Sequence, residues 1–269
     1  MIDLHLHLLH DTDDGAQNLE QALAMARIAA GDGCKALVAT PHQRRDEWET
    51  ADPRRLAARL AEIQAAIETE IGSDAGRALK LYLGAEVRVD SELLAELEER
   101  EHAGILPLAG SRYLLLELDA FGFGPDPVEL VRELVVRGWR PILAHPEMIP
   151  FLWQSEDELI PRLIEAGALF QVTAMSVTGE FGRGPKDRVW EMLAAGWVHF
   201  VASDAHRSDW RPPGLRRAFE AVSSRLGEPA ARALTLDNPR AVLEDRALVA
   251  ATVLDAPGSS GASSVEAGR

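Results

Sequence analysis

What most constrains this chain is a strict alternation of short apolar runs with longer segments of helical periodicity. The runs occupy 2–6, 36–39, 79–83, 113–118, 140–144, 168–172 and 198–202, each the length of a strand buried on both faces. Helix-like segments lie between them at 19–30, 56–71, 93–100, 128–136, 159–166 and 189–195. Asn18 stands where an N-cap is wanted, and Gly31, Gly33, Gly138, Gly167 and Gly196 stand where helices would stop. Two more helical segments, 215–226 and 241–248, come after the last run. Seven βα repeats predict an α/β fold whose parallel sheet is covered by helices, as a barrel or a wide open sheet.

Composition narrows the partners. With 28 Lys+Arg against 43 Asp+Glu the net charge is −15, which repels phosphate backbones and disfavours a general nucleic-acid binder. The single cysteine, Cys34, excludes an internal disulfide and a cysteine-only metal site. No run of about 18 apolar residues exists, so membrane insertion is not expected. The first residues lack the basic region and apolar core of a signal peptide, so the expected location is cytoplasmic. One domain is expected over 1–250. The segment 256–269, APGSSGASSVEAGR, is too small and polar to bury a core and reads as a disordered tail.

Polar residues with chemical potential cluster at the C-terminal ends of the apolar runs. The first run ends in His5-Leu6-His7, and the second leads into Thr40-Pro41-His42. The third leads to Glu86, the fourth carries Glu117, the fifth leads into His145-Pro146-Glu147, and the seventh into Ser203-Asp204-Ala205-His206. The sixth, near Gln171 and Thr173, offers neither imidazole nor carboxylate. C-terminal strand ends of parallel folds converge on one face, where ligands bind. Alternate residues of an extended segment share a side, so His5 and His7 can grip one ion. Imidazole plus carboxylate without thiolate suits zinc, manganese, iron or nickel. His10, His102 and His199 read as hydrogen-bonded histidines outside this set, and Cys34 as a structural residue.

These residues resemble the polymerase-and-histidinol-phosphatase (PHP) superfamily of metal-dependent phosphoesterases. The resemblance extends along 1–246 to the branch of bacterial tyrosine-protein phosphatases, through MIDLHLHLLHDTDDGAQNLE, LVATPH, GAEVRV, ILAHPE, SVTGEFG and HFVASDAH. That branch accompanies capsule and exopolysaccharide synthesis and acts on tyrosine autokinases. The resemblance implies a distorted seven-stranded (β/α)7 TIM-like barrel holding three divalent ions, manganese foremost, with iron, zinc or magnesium as alternatives. His5, His7, Glu86 and Asp204 would bind the first ion. Glu86 would bridge to a second, completed by Glu117 and His145. Asp14, with His42 and His206, would bind the third, Asp13 being the neighbour most easily confused with it. Four carboxylates against three divalent ions leave two positive charges, which suits a phosphate dianion. The implied reaction is hydrolysis of phosphotyrosine by a metal-bound hydroxide, with no phosphoenzyme.

One departure stands out. The family usually places an arginine that contacts phosphate directly after His-Pro-Glu, and here that residue is Met148. A second family arginine is present as Arg211. A thioether does not replace a charge-assisted bidentate pair, so Arg88, Arg44 or Arg207 are candidates to fill the gap. The departure leaves two other readings open: a PHP phosphoesterase for a small molecule such as histidinol phosphate or a nucleotide, and a weakly active regulatory binding protein. A cysteine-based phosphatase is excluded, because its arginine belongs six residues after the thiol, where Thr40 stands relative to Cys34. Gly122-Phe123-Gly124 lacks the third glycine of a dinucleotide loop and reads as a loop facing substrate. The segment 43–53, with Arg44, Arg45 and Trp48, reads as peptide recognition, a lid or a solvated loop. The acidic stretch 92–101 reads as a solvated helix face.

Overall fold

The computed structural model describes residues 1–45, 47–48, 50, 52–71, 79–99, 104–154 and 158–248. Among them are nine short strands: β1 Ile2–Leu6, β2 Ala36–Ala39, β3 His42–Gln43, β4 Lys80–Leu83, β5 Glu86–Arg88, β6 Tyr113–Glu117, β7 Arg140–Ala144, β8 Leu169–Thr173 and β9 Phe200–Ala202. They form two parallel sheets, β1-β2-β4 and β3-β5-β6-β7-β8-β9. The fold is mixed α/β, as the alternation predicts.

The seven apolar runs become nine strands because the second and third each break and resume. Pro41 has no N–H to give a ladder, which interrupts the chain between β2 and β3. Gly84 interrupts the next run, and a Cβ there would sit 2.8 Å from the Leu108 side chain. The breaks are aligned: Gly84 N donates to Ala39 O at 2.9 Å and Glu86 N to Pro41 O at 3.1 Å. β2 and β4 therefore lie in one sheet and their continuations in the other, which turns His42 and Glu86 toward a common centre. A parallel bridge, Leu6 to Ala205, joins the end of β1 to the chain beyond β9. Asp204 N donates to His5 O and His7 N to Ala205 O, both at 2.8 Å.

Strand side chains alternate between two cores, as a period of two requires. Leu114 and Leu116 of β6 join the large cluster under the helices, whereas Tyr113 and Leu115 join a smaller one with Leu4, Val38, Ile142 and Phe200. Val242 packs into that smaller cluster from the C-terminal helix. Phe200 is fully buried, and its truncation to alanine would cost about 3–5 kcal/mol.

The helices are α1 Leu19–Asp32, α2 Pro53–Ile71, α3 Leu93–Glu98, α4 Pro127–Val136, α5 Pro150–Gln154, α6 Leu159–Ala166, α7 Ala174–Thr178, α8 Arg183–Ala194, α9 Arg216–Leu226, α10 Glu228–Arg232 and α11 Asn238–Leu243. Asn18 caps α1 by accepting from Gln21 N at 2.9 Å, and Gly33 ends it with φ 101°. Three features differ from the sequence expectation. The short α5, α7 and α10 carry too little periodicity to be seen. α8 begins six residues before the expected 189, because its first turns are polar. The last helix stops at Leu243 rather than 248, where Asp245 turns left-handed (φ 46°) and accepts from Arg112 N at 3.0 Å. His102, the end of the acidic stretch and the tail at 256–269 lie outside the described residues. Among the described residues, no helix is long and apolar enough to cross a membrane.

Candidate metal centre

The centre is built on the strand ends. One extra residue in β1 shifts its register against β2 between Asp3 and Leu6. Such a bulge re-aims side chains. His5 and His7 then point the same way, as the His-x-His spacing predicts. His5 Nε2 lies 3.4 Å from both Glu86 Oε2 and Asp204 Oδ1, and His7 Nε2 lies 3.6 and 3.5 Å from the same two atoms. His42 Nδ1 comes within 2.9 Å of Glu86 Oε2. Asp14 reaches His42 and His206, each at 3.5 Å. Three groups with metal-binding donors close together result: His5/His7/Glu86, His7/Asp14/His42/His206 and His42/Glu86/Glu117. His145 stands in none of the three and meets the centre through Glu86 Oε1 at 2.7 Å. All nine residues of the expected ligand set thus gather at one place, and Glu86 lies at its middle.

The donor chemistry fits divalent ions. His5 Nε2, His7 Nε2, Asp14 Oδ1, His42 Nδ1 and Glu86 Oε2 are buried without a hydrogen-bond partner. Orphaned buried polar atoms are costly, and three imidazole nitrogens facing one orphaned carboxylate oxygen of Glu86 call for a cation. The far side of each front histidine is fixed as metal-bound imidazoles require. His5 Nδ1 donates to Gln171 Oε1 at 2.8 Å, and His7 Nδ1 donates to Asp13 Oδ2 at 2.7 Å. Asp13 also accepts from His42 N and Gly15 N, each at 3.0 Å. Asp13 therefore sits behind the centre while Asp14 faces it. Gly15 is obligatory here, since a Cβ would lie 2.1 Å from His7 O.

The protein's own charges balance one another at this centre. Burial opposes ionisation of Glu86, but His5, His42 and His145 outweigh it and hold the carboxyl well below its usual range. Burial would lower the His7 pKa, yet Asp13, Asp204 and Glu86 raise it well above the ordinary imidazole value. His145 is pushed up to about 9, burial being outweighed by Glu86 and then Asp204. His206 is lowered by burial and by His7. Two arginines close the rim. Arg211 pairs with Asp204 and lies 5.1 Å over the Phe181 ring and 5.7 Å over Trp210. Arg45 pairs with Glu117 and lies 5.8 Å over Trp48. Backbone strain is concentrated here too, with left-handed φ of 35° at His145, 52° at Asp204 and 55° at Arg211.

Other expected residues fall elsewhere. Arg88 pairs with Asp119 at 2.9 Å, and Arg44 with Asp90 at 2.6 Å and with Glu96. Met148 is 40 % exposed, and its sulfur accepts from Ser176 Oγ at 3.9 Å. His10 meets Glu62 and Arg59, and His199 holds β8 by accepting from Phe170 N. Cys34 is buried, which pushes its thiol pKa up and leaves it unreactive. Phe121 and Phe123 stand exposed in a loop held by Asp119, whose Oδ1 accepts from Phe121 N at 2.8 Å. Sequence reading did not foresee the supporting roles of Gln171 and Asp13, or that Trp48, in the segment singled out for recognition, stacks on His42 with ring centroids 5.0 Å apart.

A family model described as capsular polysaccharide synthesis, CpsB/CapC, matches residues 1–244. The chain belongs to this family. Among curated relatives, YwqE of Bacillus subtilis, a tyrosine-protein phosphatase, is 31% identical over 92% of this chain and 93% of its own. CpsB of Streptococcus pneumoniae, also a tyrosine-protein phosphatase, is 29% identical over 91% of this chain and 99% of its own. Solved structures of YwqE and CpsB, described as metal-dependent tyrosine phosphatases, match with a TM-score of 0.84 at 27% identity, covering 93% of this chain and 96% of theirs. A chain of archaeal ribonuclease P aligns with a TM-score of 0.55 at 13% identity, a likeness of fold alone. Within the CpsB/CapC family, the sequence resemblance to PHP tyrosine phosphatases agrees with the curated relatives.

Proposed function

We infer that this CpsB/CapC protein is a metal-dependent protein-tyrosine phosphatase serving capsular or exopolysaccharide synthesis. The observation that carries the reading is the convergence of three orphaned buried imidazole nitrogens, of His5, His7 and His42, on the equally orphaned Glu86 Oε2. In this reading His5, His7, Glu86 and Asp204 hold a first divalent ion, Glu86, Glu117 and His145 a second, and Asp14, His42 and His206 a third. Manganese is the foremost candidate for all three. Such ions supply Lewis acidity and a nucleophile at neutral pH. The chain does the rest. Asp13 and Gln171 set the tautomers of His7 and His5. Arg211 supplies a planar donor fork for phosphate oxygens, held in place by Phe181 and Trp210. Phenolate is a good leaving group, with a pKa of about 10.

The finer architecture belongs to the same reading. The Leu6–Ala205 bridge and the aligned breaks beside Gly84 support closure of the two sheets into a distorted PHP-type barrel, with 1–250 as one unit. The substrate is a phosphotyrosine protein, and a tyrosine autokinase of the export machinery suits it best. Autokinase phosphorylation consumes ATP, which supports a cytoplasmic site of action. Met148 in place of the usual arginine favours a second reading, a phosphoesterase for a small molecule such as histidinol phosphate.

The deciding experiment compares phosphate release by manganese-reconstituted protein from a phosphotyrosine peptide and from histidinol phosphate, with a chelator control. Chelator-sensitive turnover that prefers the peptide is expected. Preference for histidinol phosphate would replace the substrate while keeping the metal chemistry.

A further inference from the structure

We propose that Arg45, on the loop after β3, is the second phosphate-binding cation of this site. The proposal rests on the phosphatase reading and deepens it. Four arginines lie near enough in sequence to the metal-facing ends to take this part. Arg44 is committed to Asp90 and Glu96, and Arg88 to Asp119, none of which belongs to the donor groups of the centre. Arg207 has a buried Nε without a hydrogen-bond partner and, among the described residues, shows no pairing with a carboxylate of the centre. Arg45 differs, because its partner Glu117 is itself a member of the centre. Its Nε donates to Glu117 Oε2 at 3.0 Å and its Nη2 to Oε1, a two-pronged grip.

That grip matters because a guanidinium fork fits a carboxylate and a phosphate in the same way. If Glu117 held an ion, the fork of Arg45 would be free to take a phosphate oxygen instead. Arg211 pairs with Asp204 on the other flank, through Nη2 alone. The two flanks match further. Trp48 stacks on His42, with Arg45 over its ring, and Trp210 lies edge-on 5.8 Å from His206, with Arg211 over its ring. Two arginine–tryptophan arms thus border the His42/Asp14/His206 group. Arg45 also lines an open groove of about 320 Å³ with Gln43, Trp48 and Asp90, so solvent reaches it.

The test is inorganic phosphate binding to manganese-loaded protein by calorimetry, alongside metal content and peptide turnover. Arg45→Gln is expected to weaken phosphate binding about tenfold to a hundredfold, the loss of one charge-assisted pair, with manganese content unchanged. KM for the phosphotyrosine peptide should rise in parallel. Arg45→Lys should recover part of the loss. Unchanged phosphate affinity in Arg45→Gln, or no phosphate binding by the wild type, overturns the proposal and leaves Arg45 as a counter-ion of Glu117. Phosphate binding that depends on Arg45 without any peptide turnover would uphold the clamp and overturn the tyrosine-phosphatase reading.

Discussion

Histidines occur at both ends of the parallel strands, and the two ends treat them oppositely. His199 precedes β9, accepts from Phe170 N and has backbone partners, so burial pushes its pKa down to about 4. His145 comes after β7 and is as deeply enclosed, yet Glu86 lifts it to about 9. Burial is common to both, and the carboxylate partner decides the sign. The contrast separates imidazoles that serve as neutral struts from those that serve a charged centre.

The strongest way to break the contrast is to remove what holds the centre from behind. Asp13→Asn leaves the front donors in place but unfixes His7, and should lower manganese affinity or turnover about tenfold to a hundredfold, read by metal titration. Gln171→Leu should act in the same direction through His5, toward the lower end. A second intervention presses on the backbone. Gly15→Ala drives a methyl into His7 O and should destabilise the fold by about 3 kcal/mol, read by chemical denaturation.

The pH response sharpens the comparison directly in chelator-treated protein. For His199, folded pKa about 4 against an ordinary 6.5, the stabilising contribution is complete above 6.5 and is lost as pH falls toward 4. For His145, folded pKa about 9, it is complete below 6.5 and is lost as pH rises through 9. Each slope is on the order of 2 kcal/mol across its window. His199→Gln should flatten the acid side of the stability profile, and His145→Gln the alkaline side. The smallest effect concerns Cys34: Cys34→Ser should leave phosphotyrosine hydrolysis unchanged, since the thiol is buried apart from the centre.

Much of the fold and centre is legible in the chain itself. Each apolar run announces a strand, and six of the seven lead into an imidazole or carboxylate, so His5, His7, Glu86, Asp204 and most of the others can be read in order along the chain, whereas Asp14 comes only from the family resemblance. β3 and β5 cannot, because strands of two and three residues carry no periodicity. Nor can Gln171, whose partner His5 lies 166 residues away. Arg45 is hidden for the same reason: its meaning comes from Glu117, 72 residues further on. Sequence displays what a residue is made of, while supporting roles are defined by contacts across the chain.

The left-handed backbone at His145 and Asp204 has an evolutionary consequence. A residue other than glycine held there carries about 1 kcal/mol of strain, which glycine would release. The pairing of His145 with Glu86 and of Asp204 with Arg211 outweighs that strain, so glycine at either position would cost stability overall. A glycine at either position in a homologue would therefore remove a candidate ligand at a net cost to the fold.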